Sequence, residues 1–201
     1  MYVYLILSNI GNKPLFQWRQ DKFEEMRAKL VKYEEISDRI EYEIATFLNA
    51  VTAGDISVET SSRIKAMYKI IGELESLGDS GEAISRILSR KNIHNKKFDE
   101  DMLKNLGNLT DAVENAYDVM ISNLTSAHNG NLSEISNAYN AENRINNIRN
   151  ILRDNEIENI ESAGKNYQTS VYYMDIISEL EKMGDFMINI SQTLEKTIIN
   201  R

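Results

Sequence analysis

At 201 residues the chain is long enough to bury a core without covalent staples. It contains no cysteine, which removes disulfides, thiolate nucleophiles and zinc–cysteine sites together, so any metal must sit on oxygen or histidine. A formal net charge of −8 and a pI near 4.9 leave no basic stripe with which to displace the counterions of a phosphate backbone, and nucleic acid is not an expected partner.

The opening Met1-Tyr-Val-Tyr-Leu-Ile-Leu7 is apolar. It is too short to span a bilayer and lacks the basic leader and small-residue cleavage site of a signal peptide, so it reads as an ordinary soluble segment. Beyond it, a single proline at position 14 and nine glycines leave few interruptions, and apolar residues recur every three or four positions. The chain is expected to be all-α and to form a single domain. The spacing predicts helices near 15–52, 57–91, 97–127, 131–153 and 156–199, broken at Gly54 to Ser57, Asn92 to Asn95, Ala127 to Gly130 and Asp154-Asn155. Helices of that length suit an elongated antiparallel bundle.

The first expected helix carries Tyr33-Glu34-Glu35-Ile36-Ser37-Asp38-Arg39-Ile40-Glu41, which puts Glu34, Asp38 and Glu41 at i, i+4 and i+7 on one face. The second carries a core stripe of Ile70, Leu74, Leu77, Ile84 and Leu88. Its Lys65, Lys69, Arg86, Arg90 and Lys91 are expected on the wet face. Ser61-Ser62 is expected at the surface, because no histidine lies near it and no nucleophile-elbow context surrounds it. His94 and His128 fall in expected turns as exposed structural residues. Neither follows a glutamate by three positions, which argues against the Glu-x-x-His of a ferritin-type di-iron centre. The fifth expected helix carries the stripe Ile176, Leu180, Met183, Met187, Ile190 and Leu194, while Trp18, Tyr172 and Tyr173 are expected to pack.

One phrase occurs twice. Ile70-Ile71-Gly72-Glu73-Leu74-Glu75-Ser76-Leu77-Gly78-Asp79 returns as Ile176-Ile177-Ser178-Glu179-Leu180-Glu181-Lys182-Met183-Gly184-Asp185, 106 residues later, and extended to Ser85 and Ser191 the windows agree at 9 of 16 positions. Repetition of this kind implies two tandem units, about 15–91 and 97–199, in which the first two helices correspond to the last two. The third helix opens the second unit and has no counterpart in the first. Either the first unit has lost its leading helix, or residues 1–14 are its remnant, or the chain is a piece of something longer with residues 1–14 as a junction segment.

A glutamate and an aspartate four apart project from one helix face and can reach one cation together. Glu75 and Glu181 border apolar stripes, where an unpaired charge costs several kcal/mol, so a metal or an arginine from another helix must compensate it. If the first helix packs antiparallel on the second, Glu34 and Asp38 converge on Glu75 and Asp79. Such an all-oxygen set suits Mg²⁺, Mn²⁺, Ca²⁺ or iron. In the second unit Glu142 stands where Asp38 does, while Ala138 replaces Glu34 and Ile145 replaces Glu41. A stronger site is therefore expected at Glu34, Asp38, Glu75 and Asp79, and a weaker or empty one at Glu142, Glu181 and Asp185. Gly78 and Gly184 would permit close helix approach.

Glu73-Leu74-Glu75-x-x-Gly78-Asp79 and Glu179-Leu180-Glu181-x-x-Gly184-Asp185, each ending a unit, resemble the paired acidic motifs of PhoU proteins. The Glu34-to-Glu41 segment, followed by Gly54-Asp55-Ile56-Ser57-x-Glu59-x-Ser61-Ser62-Arg63-Ile64, is most similar to the PhoU-type domain at the C-terminus of bacterial sodium/phosphate cotransporters. The resemblance covers about residues 20–199. It implies a duplicated three-helix bundle in the cytoplasm that carries metal ions or clusters and restrains phosphate uptake or starvation signalling, with no catalysis of its own. The metal-site role falls on Glu75 and Asp79, Glu181 and Asp185, with Glu34, Asp38 and Glu142 facing them. The implied partners are a phosphate transporter membrane domain or a phosphate sensor, with a homodimer as a further arrangement.

Two departures from the family pattern stand out: the shortened first unit, which suggests a domain separated from a longer membrane protein, and the depleted second acidic segment. The competing expectation is a metal-free helical interaction module whose acidic seams bind basic partner helices or arginines within the bundle. Metal-assisted hydrolysis ranks last, since no general base or oxyanion donor stands out.

Overall fold

The computed structural model describes residues 20–163 and 166–199; the apolar opening segment, Pro14 and Trp18 lie outside the described residues. Five α-helices, α1 (Gln20–Thr52), α2 (Val58–Ile93), α3 (Glu100–His128), α4 (Ser136–Ala163) and α5 (Tyr167–Leu194), pack as an all-helical bundle, and α5 runs on into a π-helical turn, Glu195–Ile199. With 36 residues α2 is roughly 54 Å long at 1.5 Å per residue.

Local chemistry sets the helix starts. Ser57 Oγ accepts the Thr60 N–H at 3.1 Å to cap α2, Asp99 Oδ1 accepts the Met102 N–H at 2.8 Å to cap α3, and Asn166 caps α5 through the Thr169 N–H. After α2 the chain turns through Asn95 at φ 52°, and after α3 through Gly130 at φ 72°. Both lie in the left-handed region, which asparagine and glycine tolerate.

The core centres on α5, which packs against α2, α3 and α4, while α3 also packs on α4. Ile176, Ile177, Leu180, Met183, Met187 and Ile190 of α5 are buried together with Leu106, Leu109 and Val113 of α3 and Leu77, Ile84 and Leu88 of α2. At Gly184 the helices approach closely: a Cβ there would lie 2.9 Å from Ile145 Cδ1 of α4. In contrast, among the described residues α1 packs substantially on α2 alone. Among the described residues it buries Phe23 and Leu30 near one end and Leu48 near the other, where the Tyr68 hydroxyl of α2 also bonds to the Ala45 carbonyl at 2.9 Å and to Asn49 Oδ1 at 2.7 Å, and no apolar residue between Leu30 and Leu48 is buried.

Several expectations need correction. The break expected at Asp154-Asn155 does not occur, and α4 continues to Ala163. Leu152 and Glu156, four apart on its buried side, bracket the polar pair, and Ser170 Oγ donates to the buried Glu156 carboxylate. The fifth helix accordingly starts at Tyr167 instead of 156. At its start α4 begins at Ser136 instead of 131, where the Ile135 carbonyl takes the Ala138 and Tyr139 N–H groups and the Ile135 side chain packs on Ala138 and Ile188. Leu74, expected in the core, is 37% exposed. Lys91, expected on the wet face, is buried. Its Nζ donates to the Lys96 carbonyl at 3.3 Å and lies 5.1 Å from the Phe98 ring centroid, and burial lowers its pKa.

Candidate functional site

The sequence places an acidic row where α1 meets α2. Between Leu30 and Leu48, the α1 positions one to three turns along the same side are Glu34, Ser37 and Glu41, so carboxylates stand where the seam would otherwise be apolar. Glu34, Glu41 and Glu75 are half-buried, whereas Asp38 and Asp79 are exposed. Burial raises the Glu34 pKa, and the charges of Asp38 on its own helix and of Glu82 and Asp79 across the seam raise it further. Burial likewise raises Glu75, reinforced by Asp79 and by Glu41 from α1, and only the Ser76 hydroxyl opposes the shift. Like charges therefore face one another across α1/α2.

No ion pair relieves that repulsion at Glu34, Asp38, Glu75 or Asp79 among the described residues; Glu82 alone of this group pairs, with Arg86 of its own helix at 3.2 Å. The four residues expected to form the stronger site are thus brought to one seam. Their side chains do not, however, form a finished cage: among the described residues no three or more His, Asp or Glu groups stand close enough together to hold a metal ion. The residue types are those a hard cation takes, carboxylate oxygens.

The second seam, α4 against α5, is built differently. Ala138, Ala141, Ile145 and Leu152 are buried, and the cavity among Ala138, Ala141, Glu142, Gly184 and Met187 has room for about one water. Glu142 accepts a hydrogen bond from Asn146 Nδ2 on its own helix. Arg149 Nη2 donates to Glu181 Oε1 at 2.7 Å. Burial raises the Asp185 pKa, Glu181 and Glu142 add to the shift, and the Arg149 charge opposes it. Glu142 and Glu181 thus lie near enough to Asp185 to act on its charge, as does the Arg149 guanidinium that pairs with Glu181.

Arg149 is the charged residue of this seam that the sequence alone does not mark. It lies seven residues after Glu142 and four after Ile145, on the same side of α4, and that spacing is the available signal. In the first unit the corresponding position is Ala45.

His94 and His128 are exposed, and neither lies at a seam. His94 instead caps α2 and hydrogen bonds to Tyr172 and Gln168 of α5, while burial pushes the neighbouring Tyr173 up to about 12. These contacts lace together the end of the bundle opposite the α3–α4 turn.

Comparison with protein-family models, with curated proteins and with solved structures gives no match. Among the described residues no helix is long and apolar enough to cross a membrane.

Proposed function

We propose that this chain is a regulatory helical module that takes a divalent cation or iron at the α1/α2 seam and controls phosphate uptake or phosphate signalling. One observation carries the reading: carboxylates from two helices face each other with no countercharge in the first seam, while an arginine supplies that charge in the second. The likeness of the two acidic phrases to PhoU motifs supplies the phosphate context.

Glu75 and Asp79 from α2, with Glu34 and Asp38 from α1, would hold the ion. A bound cation supplies positive charge between facing carboxylates and so removes the repulsion between the helices that carry them. Because the described contacts that fix α1 to α2 include Phe23 and Leu30 near one end and Leu48 with the Tyr68 hydroxyl bonds to Ala45 and Asn49 near the other, cation occupancy would decide how firmly the stretch between them docks. On this reading the module acts by contact with a phosphate transporter membrane domain or a phosphate sensor at the inner face of the membrane, as part of a longer protein, and catalyses nothing.

Elemental analysis of protein purified without chelator tests the site. Metal present in the wild type and lost in Glu75→Ala/Asp79→Ala is the expected result; equal occupancy in both rejects the assignment.

A second reading, a metal-free interaction module, is favoured by the lack of a finished cage and by the stripe Ile36, Ile40 and Phe47, all exposed on α1. It expects no thermal shift with Mn²⁺ or Fe²⁺, whereas any ligand of the native state stabilises it by mass action. It also expects a Lys/Arg-rich helical peptide to bind the cation-free protein and to be released when Glu34 and Glu75 become glutamine.

A further inference from the structure

We infer that Arg149 is the resident cation of the second seam, a guanidinium supplied by α4 that closes the α4/α5 joint against metal and makes it independent of any dissolved ion. The contrast with the first seam rests on the function proposed above; the assignment of Arg149 does not.

Among the described residues the ion pairs other than Arg149–Glu181 join positions three or four apart on one helix, and their cationic partners are 38–80% exposed. Of the pairs between described residues, Arg149–Glu181 joins two helices, and its side chains are only 27% and 21% exposed. A pair withdrawn from water in this way is screened far less than a surface pair. The same guanidinium acts on Asp185, so one charge serves both carboxylates of the repeated phrase.

Arg149 is not held by an optimal hydrogen-bond network. Its Nε is buried without a hydrogen-bond partner. What ties Arg149 to this seam is therefore its charge–charge contact with Glu181 and the field it places on Asp185. Arginine also keeps its charge at every physiological pH, which no histidine or exchangeable metal guarantees.

The test uses the full chain with Mn²⁺ as probe, reading bound equivalents by elemental analysis after dialysis and Tm by circular dichroism. Arg149→Met should bind one Mn²⁺ equivalent more than the wild type. Its Tm should rise by roughly 5–10 °C at about 100 times the dissociation constant, an increment that Glu181→Gln/Asp185→Asn abolishes. Arg149→Lys, which keeps the charge, should match the wild type.

Wild-type stoichiometry in Arg149→Met overturns the inference. So does any loss of Mn²⁺ when Glu181→Gln/Asp185→Asn is made with Arg149 in place, a variant that remains informative even where Arg149→Met fails to fold. If Glu75→Ala/Asp79→Ala leaves wild-type Mn²⁺ binding unchanged, the function proposed for the first seam fails, while a gain in Arg149→Met still supports Arg149.

Discussion

Glu75 and Arg149 give opposite answers to one problem, a carboxylate set beside an apolar helix stripe. Burial and neighbouring carboxylates raise both Glu34 and Glu75 above the ordinary carboxylate range. An acid with a raised folded value binds more protons folded than unfolded, so stability falls as pH climbs from about 4.5 through that raised value, and the cost is fully present above it. In cation-free protein Tm should therefore decline as pH is raised from 4.5 toward neutrality. Glu75→Gln should flatten that decline and raise Tm at neutral pH, measured by circular dichroism across a buffer series; an unchanged slope would mean that the seam is not under charge repulsion. The acids were legible in the sequence because a Glu-x-x-x-Asp phrase that recurs is conspicuous. Arg149 was not, because a lone arginine on a charged helix looks like any solvated residue until the partner helix is in place. Lys91 was misread for the same reason: its burial depends on Phe98, which lies beyond the following turn.

At the level of helices, glycine separates positions that need close approach from those that do not. A Cβ at Gly72 of α2 or at Gly107 of α3 would meet nothing within 4 Å, so alanine there should stabilise by about 0.4–1 kcal/mol through restricting the unfolded chain. At Gly184 the added methyl would press on Ile145 Cδ1 at 2.9 Å. The contacted atom is the end of a side chain, yet the site is buried and closely packed, so overpacking of about 1–3 kcal/mol should outweigh a helix-propensity gain of about 1 kcal/mol. Thermal melts should place Gly72→Ala and Gly107→Ala above the wild type and Gly184→Ala below it. The existence of the helices and most of their breaks could be read from apolar spacing and caps such as Ser57. The end of α4 could not: Asp154-Asn155 has turn-forming residues, and what carries the helix through them is the burial of Leu152 and Glu156 against α5.

For the molecule as a whole, attachment is uneven. α5 is enclosed by three helices, whereas α1 leans on one. Local opening follows the density of buried contacts, so amide exchange should be fast in the middle of α1, near residues 34–45, and slowest in α5. If the first seam takes a cation, Mn²⁺ should slow exchange in that part of α1 and leave α4 unchanged, because Arg149 already closes its seam; hydrogen–deuterium exchange mass spectrometry resolves the two segments. Equal slowing in both would contradict the division between the seams. The pairing of α1 with α2 and of α4 with α5 was readable from the order of the repeat, but the exposure of Leu74 and of the stripe Ile36, Ile40 and Phe47 was not, since periodicity reveals an apolar face and not whether anything covers it.

The central place of α5 also governs the order of assembly. The helix against which α2, α3 and α4 bury their stripes follows all of them in the chain, so during synthesis Leu77, Ile84, Leu88, Leu106 and Leu109 emerge before their common partner exists. Folding of this bundle must wait for Tyr167 to Leu194, and a nascent chain stalled at Ala163 should be helical in part, bind a hydrophobic dye and melt without cooperativity.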